Sequence, residues 1–457
     1  MVNEFILDHA DDDTYQLALH RKLYPQLTDE DMAFALQQIE SRQKAKHKLP
    51  SFYNNHDILY PSRLAMEQCS SETTARYKAS LLAAFSSAIN PINPINSINS
   101  INSINSLADL TGGFGIDTFH LSQHFKTTHY VEPNTQLCNI ASHNFKSLNA
   151  GIITHNTTAE DFLATTDRLD WIYIDPSRRD NAGRKVFRLQ DCEPNLLELW
   201  DLIQSKSRCQ MIKLSPMVDI KSVFQSPLRP QEIHIVAIDN ECKEVLCVCK
   251  NSDFSPSADG SEFRLRNLDF RLQATNINRH GSSTFRFSLR EEQDAVATYA
   301  DGIHRYLYEP DAAILKAGAY KLVSQRYGIA KLAPNTHLYT SDKLIPGFQG
   351  RIFKVSAVNP DTKTLTGMQA NVIARNYPLS PQQIQKKYRI KDGGDNYLIA
   401  TTIGNRRVIF GTQLLHGINK DFAHPVYIRS IRHTDNYLCE PVGVIAREII
   451  EILAEKR

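Results

Sequence analysis

A glycine-rich turn ends the first short apolar run in the middle of the chain, and it reads Asp109-Leu110-Thr111-Gly112-Gly113-Phe114-Gly115-Ile116-Asp117. Glycines let the backbone turn tightly and approach a ligand closely, because they carry no Cβ atom. A helix that begins after such a turn directs its N-terminal amides at an anionic group. The turn therefore predicts a ligand-binding loop, and a structural turn without a ligand stays open as the alternative.

Short apolar runs separated by helical lengths of chain surround this turn. They predict five strands that alternate with helices, at residues 107–111, 129–132, 151–154, 170–175 and 211–214. Two further runs, 232–238 and 245–249, are separated by a hairpin-length turn. Alternating strands and helices form a parallel sheet with helices on both faces, and a closing hairpin adds an antiparallel edge strand. We predict an α/β fold with a seven-stranded, doubly wound, Rossmann-like sheet.

A carboxylate ends the second predicted strand. Glu132 lies 17 residues after Gly115, near the spacing of about 20 residues at which an acidic side chain accepts both hydroxyls of a ribose. A dinucleotide site would have a further glycine where this sequence has Thr118. We therefore predict S-adenosylmethionine (SAM) as the cofactor in preference to NAD.

The fourth predicted strand ends at the edge of the sheet where doubly wound folds keep their active sites, and it reads Tyr173-Ile174-Asp175-Pro176-Ser177-Arg178-Arg179. An Asp side chain and a backbone carbonyl held rigid by proline can accept hydrogen bonds from an amino group that attacks a methyl sulfonium. Such acceptors stabilise charge that develops on the nitrogen and orient its lone pair. An Asp-Pro turn with exposed arginines is the open alternative.

These motifs resemble those of the bacterial class I SAM-dependent methyltransferases that carry ferredoxin-like and THUMP-like C-terminal domains. Five βα units with a terminal hairpin are also the strand pattern of class I methyltransferases. In the first half of the chain, the likeness rests on residues 109–117, 132–134, 175–180, 183–186 and 191–194. In the second half, it rests on residues 306–311, 334–341 and 391–397.

The resemblance implies roles for individual residues. It implies a catalytic role for Asp175 and Pro176, and substrate contacts for Ser177, Arg178 and Arg179. Many base amino methyltransferases have a second proline and an aromatic residue where this chain has Ser177 and Arg178. We therefore expect Arg178 to stack through its guanidinium plane or to pair with phosphate. The predicted cofactor-binding residues are Asp109, Thr111, Gly112, Gly113, Phe114, Gly115, Asp117, Glu132 and Asp161.

Asp161 follows the third predicted strand, where related enzymes hold the adenine, and helix N-terminal capping is its equal alternative role. The polar run Arg76-Tyr77-Lys78 is interpreted as the solvated face of a helix, with a substrate contact as the less favoured reading. No CxxC pair occurs among the 8 cysteines, so no metal site is predicted.

The 457 residues predict several domains. An N-capped helix is expected after Thr28, ending before Pro50, and a second helix is expected from Ser70 or Ser71. An Asn-Ile repeat of period three suits neither helix nor strand and is predicted to be a linker. The predicted organisation is an N-terminal helical region (1–89), the linker (90–106), a methyltransferase domain (107–260), a ferredoxin-like α+β domain (261–343) and a THUMP-like domain with a C-terminal tail (344–457).

Charge and hydropathy narrow the possible partners. With 52 basic and 50 acidic residues, the net charge of +2 excludes a histone-like polycation. No apolar run is long enough to cross a bilayer, so we expect a cytoplasmic protein without membrane contacts. The oligomeric state is not predicted.

The resemblance implies that the substrate is RNA, either tRNA or rRNA, and that the methyl acceptor is a base nitrogen. Basic side chains cluster near the predicted active site and in the C-terminal domain, although a solvated helix face explains the second cluster equally well. A non-catalytic SAM- or RNA-binding protein that retains the fold is the main alternative, and a small-molecule methyltransferase is the third. The two clusters are Arg178, Arg179, Arg184, Lys185 and Arg188, and Lys386, Lys387, Arg389 and Lys391.

Overall fold

The computed structural model describes residues 1–89, 106–177, 192–251 and 270–415. The chain divides into two compact units. The first comprises Met1–Val218, Ser222–Pro230 and Cys247–Ser261, and the second comprises Asp219–Lys221, Gln231–Leu246 and Glu262–Arg457. In the described ranges, no helix is both long and apolar enough to cross a membrane.

Helices form the N-terminal part of the first unit, as predicted. The Thr28 side chain accepts a hydrogen bond from the Asp31 amide, and the Asp31 carboxylate accepts one from the Thr28 amide, so the expected cap is confirmed. Phe52 and Tyr60 pack with Phe114 of the glycine-rich turn in one apolar cluster. The helices are α1 (Val2–Asp8), α2 (Thr14–Leu19), α3 (Asp29–Lys48), α4 (Pro50–Tyr53), α5 (Arg63–Gln68) and α6 (Glu72–Ile89).

A parallel sheet follows, and it confirms the predicted alternation of strands and helices. Its strand order is β3-β2-β1-β4-β5, with every pair parallel, and the end of β7 in this unit lies beyond β5. The carboxyl ends of these strands therefore meet at one edge. The elements are β1 (Ser106–Asp109), α7 (Ile116–Ser122), β2 (Thr127–Val131), α8 (Thr135–Ser147), β3 (Ile152–His155), α9 (Ala159–Thr165), β4 (Leu169–Ile174), α10 (Leu196–Lys206), β5 (Ser207–Leu214) and α11 (Ile220–Gln225).

In the second unit, β6 (Glu232–Ile238) and β7 (Glu241–Lys250) are neighbours joined by a two-residue turn. Asp239 and Asn240 both have positive φ, 49° and 64°, which suits a tight hairpin and confirms the predicted one. β8 (Arg271–Asn278) pairs with β6 in parallel, and β9 (Gly281–Ser288) pairs with β8. β8 and β9 are thus two strands that the predicted seven did not include, and they extend the sheet beyond the hairpin.

The second unit also contains a seven-stranded sheet with the order β11-β12-β10-β13-β16-β15-β14. This sheet is curled, because β12 and β15 are in contact although they are not neighbours in the strand order. The Thr336 hydroxyl of β12 donates to the Thr402 carbonyl of β15 at 2.6 Å. Its apolar face encloses Leu307, Leu338, Phe353, Ile373 and Phe410. The elements are α12 (Leu289–Asp294), β10 (Tyr306–Pro310), α13 (Ala312–Ala317), α14 (Tyr320–Tyr327), β11 (Ala330–Ala333), β12 (Thr336–Ser341), β13 (Gly350–Val358), α15 (Thr362–Leu365), β14 (Asn371–Arg375), α16 (Pro381–Tyr388), β15 (Asn396–Ile403) and β16 (Arg406–Leu414).

Candidate active site

The glycine-rich turn connects β1 to α7 at the carboxyl edge of the parallel sheet. A Cβ atom added at Gly112 would overlap the buried Tyr130 ring, so the close approach of backbone to ring requires glycine there. The Tyr130 hydroxyl donates to the Gly113 carbonyl at 2.6 Å and holds the turn in place. Gly113 has φ +53°, and an added Cβ would meet nothing closer than 3.9 Å. Gly113 therefore has room for a Cβ atom, and its positive φ is the reason that glycine is favoured there.

Glu132, which directly follows β2, contacts this turn. Its Oε2 accepts a hydrogen bond from the Gly113 amide at 2.8 Å, and its Oε1 accepts one from the Asn134 amide at 2.9 Å. An ionised carboxylate offers about four acceptor positions, so two remain for a ligand. The structure thus brings together the turn and the carboxylate that the sequence analysis paired.

Asp109 braces the turn from within the protein. Its carboxylate is 1% exposed; it accepts hydrogen bonds from the Thr118 hydroxyl at 2.6 Å and from the Thr111 amide at 3.0 Å. Burial raises the pKa of Asp109 to about 7, although these hydrogen bonds oppose the rise. The Asp109 side chain therefore stabilises the shape of the turn through these two hydrogen bonds.

Asp117, in the first turn of α7, belongs to a buried polar network that the sequence analysis missed. Its Oδ1 lies 3.1 Å from Lys78 Nζ of α6, and its Oδ2 accepts hydrogen bonds at 2.7 Å from the hydroxyls of Ser70 and Tyr173. Burial alone would raise the pKa of Asp117, but Lys78 and then Lys213 lower it to about 2. Lys78 has no exposed side-chain surface.

The interpretation of Arg76-Tyr77-Lys78 as a solvated face is accordingly wrong for two of its three residues. Tyr77 and Lys78 are both buried, because α6 packs along α7 and turns this face inward. Arg76 is partly exposed and pairs with Glu72 at 2.8 Å.

Asp175 directly follows β4 at the same edge. Its amide donates to the Thr111 hydroxyl at 2.7 Å, which ties it to the glycine-rich turn. Its Oδ2 forms an ion pair with Lys213 Nζ near the end of β5. Lys213 was also missed, although its position in the fifth predicted strand places it at the edge where Asp175 lies. The site thus contains a lysine beside the predicted catalytic carboxylate.

The other predicted residues have varied environments. Phe114 is buried against Phe52 and Tyr60, and Pro176 is buried, whereas Ser177 is exposed and exchanges backbone hydrogen bonds with Glu193. A Cβ atom added at Gly115, which has φ +82°, would lie 2.6 Å from the Phe145 ring. Arg178, Arg179, Arg184, Lys185 and Arg188 lie outside the described residues, as do residues 90–105 of the predicted linker. The last residue of that linker, Ser106, belongs to β1 instead.

Asp161 makes the capping interaction that was its alternative role. Its amide donates to the Thr158 hydroxyl oxygen at 3.1 Å, and the Thr158 hydroxyl lies 3.0 Å from its Oδ2. In the described part of the chain, no hydrogen bond or ion pair connects Asp161 with the glycine-rich turn. A cofactor contact by Asp161 stays a prediction. No group of three or more His, Cys, Asp or Glu side chains among the described residues could hold a metal ion.

Two domain families match the second half of the chain. Residues 306–348 match a ferredoxin-like domain family, and residues 350–413 match a family described as THUMP domain-like. Both matches lie in the part of the chain where the sequence analysis found the corresponding resemblances.

Relatives resemble larger parts of the chain. It is 24% identical over 252 residues to an uncharacterized S-adenosylmethionine-dependent methyltransferase of Mycobacterium tuberculosis, found in two strains. That match covers 53% of this chain and 63% of the relative, so the chain spans less than two thirds of the length of these relatives.

A solved structure extends the likeness to nearly the whole chain. The crystal structure of a protein assigned as a methyltransferase from Porphyromonas gingivalis W83 is 29% identical and superimposes with a TM-score of 0.72. It covers 90% of this chain and 96% of its own. Together with the sheet order and the two C-terminal domain matches, these likenesses show that the chain is similar to SAM-dependent methyltransferases and that its second half resembles ferredoxin-like and THUMP-like domains.

Proposed function

We propose that this protein transfers a methyl group from SAM to RNA. The observation that supports the proposal is the contact between Glu132 and Gly113, because it joins the carboxylate at the end of the second strand to the glycine-rich turn at one edge of the sheet, where a ribose would bind. The two acceptor positions left on Glu132 suit the two hydroxyls of a ribose. SAM would supply an electrophilic methyl group at this edge.

The remaining residues of the predicted cofactor set would act in three ways. Gly112, Gly113 and Gly115 would leave space for the cofactor beside the backbone. Thr111, Phe114, Asp109 and Asp117 would hold the turn through the contacts described above, and Asp161 would contact the adenine ring from the start of α9.

We further propose that the methyl acceptor is a base nitrogen of tRNA or rRNA. Lys213 binds Asp175 Oδ2, which leaves Oδ1 to accept a hydrogen bond from an amino group, and the Pro176 carbonyl would accept a second. Ser177, Arg178 and Arg179 would contact the RNA. The THUMP domain-like match supports an RNA substrate, and a cytoplasmic location is part of the same proposal.

Lys213 favours a second candidate acceptor, a ribose 2′-hydroxyl. A neutral amine gains positive charge when it attacks, and a nearby ammonium opposes that gain, whereas an ammonium stabilises the negative charge of a hydroxyl that is losing its proton. The ion pair with Asp175 offsets this effect, so the base nitrogen remains the first proposal.

The decisive experiment uses SAM with a labelled methyl group and total tRNA and rRNA from a strain that lacks this gene. Mass spectrometry of the digested nucleosides should reveal one methylated nucleoside that the wild-type protein forms. Asp175→Ala should bind SAM as the wild type does and should lose transfer by a factor of roughly 100 or more. Asp201→Ala is the matched control, because Asp201 is an exposed carboxylate on α10.

Each result separates the candidates. A label on a base supports the first proposal, and a label on a ribose supports the second. SAM binding without transfer to RNA would leave the non-catalytic or small-molecule alternative, and full activity in Asp175→Ala would remove Asp175 from the catalytic role.

A further inference from the structure

A buried carboxylate joins two arginines in the curled sheet of the second unit. Glu309 of β10 is 2% exposed. Its Oε2 accepts hydrogen bonds from Nε and Nη2 of Arg351, the former at 2.8 Å, and its Oε1 accepts one from Arg375 Nε at 2.8 Å. Arg351 is 30% exposed and Arg375 is 47% exposed, so the carboxylate lies beneath two guanidinium groups that reach solvent.

The strand registers explain how these side chains meet. Glu309 and Arg351 are direct cross-strand partners in the antiparallel pair β10 and β13, and Leu307 and Phe353 are partners two positions away along the same strands. Successive side chains of a strand point to opposite faces, so Glu309 shares the face of Leu307, and Arg375 of β14 shares the face of Ile373. Leu307, Phe353 and Ile373 belong to the core of the curled sheet. The cluster therefore closes one end of that core.

The cluster does not use every N–H donor of its two arginines. Arg375 Nη1 also donates to its neighbouring Ala374 carbonyl at 3.2 Å. Arg351 Nη1 and Arg375 Nη2 have no hydrogen-bond partner among the described residues. Both belong to partly exposed guanidinium groups, so each can donate to a ligand from solvent.

The charges of the cluster do not balance. One guanidinium would neutralise the Glu309 carboxylate, so the second leaves a net charge of plus one, and the two guanidinium groups repel each other. A phosphodiester carries one negative charge and two anionic oxygens, and guanidinium groups match such oxygens in geometry. Glu309 would hold both groups in position before the anion arrives.

We propose that Arg351 and Arg375, positioned by Glu309, bind a backbone phosphate of the RNA substrate. This inference rests on the proposed function, because it assigns the RNA partner to a second, separate set of residues. Inorganic phosphate shares the same chemistry, and the experiment below distinguishes it from RNA.

The test measures RNA binding by the full chain. Fluorescence anisotropy with labelled unmodified tRNA gives the Kd at several salt concentrations. Arg375→Gln should raise the Kd roughly five- to tenfold and make the slope of log Kd against log salt shallower by about one. Arg375→Lys should keep the wild-type slope, because the positive charge remains. Its Kd should lie between those of the wild type and of Arg375→Gln.

The control is Arg406→Gln, which removes one exposed positive charge from the same curled sheet. It should change the Kd less than twofold. Thermal unfolding of each variant shows whether it is folded, and SAM affinity should be unchanged in all of them. Arg351→Lys is the second variant, since it keeps a cation beside Glu309 and should also raise the Kd.

Two results would overturn the inference. The first is a folded Arg375→Gln protein with the wild-type Kd and salt slope. The second is that inorganic phosphate binds at a site that Arg375→Gln removes, while RNA binds to this variant and to the wild type with the same Kd. The proposed function fails separately, if wild-type protein neither binds SAM nor methylates RNA.

Discussion

Replacing Lys78 by methionine tests the buried polar network under the glycine-rich turn. Methionine has a similar length but no charge, so Asp117 would lose the cation that lies 3.1 Å from its Oδ1. The carboxylate would keep its hydrogen bonds from Ser70 and Tyr173. We expect the first unit to become markedly less stable, because a buried carboxylate would remain without its nearest counter-charge.

Two routes give the size of the effect. Breaking a buried ion pair by removing one partner costs about 3–5 kcal/mol. The pKa of Asp117 is lowered to about 2, and a shift of that size from the ordinary value of an Asp corresponds to about 2–3 kcal/mol. Because Lys213 still lies near Asp117, we expect the lower end of this range, about 2–3 kcal/mol, which corresponds to a Tm lower by roughly 4–12 °C.

The assay is urea unfolding followed by tryptophan fluorescence. The chain has 2 tryptophans; Trp171 and Trp200 are both buried in the first unit, so the signal reports that unit. The control is Lys46→Met, because Lys46 pairs with Asp11 at the surface and its loss should cost less than about 1 kcal/mol. If Lys78→Met costs no more than Lys46→Met, the network does not support the turn and the reasoning fails.

Two further predictions concern the turn itself. Gly112→Ala would overlap the Tyr130 ring and should cost about 1–3 kcal/mol by overpacking, whereas Gly151→Ala, with nothing within 4 Å of its added Cβ, should be nearly neutral in the same urea assay. The pKa of Asp109 is raised to about 7, so the folded state binds more protons than the unfolded state between about pH 4 and 7. Stability should therefore fall as pH rises through that window, by at most about 1.4 kcal/mol per pH unit, and Asp109→Asn should flatten this dependence. A pH dependence that is the same in Asp109→Asn would show that Asp109 does not titrate in this way.

The backbone elements could be predicted because their signals are local. Buried strands appear as short apolar runs, and β1 to β7 all lie on such runs. The start of α3 follows from two side chains, Thr28 and Asp31, that cap their own helix. The parallel pairing of β8 with β6 could not be predicted in this way, because it joins segments that are distant in sequence.

The same distinction applies to the candidate site. Gly113 and Glu132 could be paired because each follows one of two neighbouring parallel strands, and such ends meet at one edge. Lys78 carried no such signal, since only the packing of α6 on α7 shows that it is buried. Arg351 and Arg375 meet at Glu309 only because the C-terminal sheet curls, which no local pattern reveals.

We propose above all that Glu132 and the turn at Gly113 hold SAM. Isothermal titration of the intact protein with SAM tests it most directly, with Glu160→Ala as the control, because Glu160 is an exposed carboxylate on α9. We predict saturable binding that Glu132→Ala weakens by more than about tenfold, or about 1.4 kcal/mol, and that Glu160→Ala leaves unchanged. Equal affinities of the Glu132→Ala and wild-type proteins, or no binding of SAM to the wild type, would contradict the account.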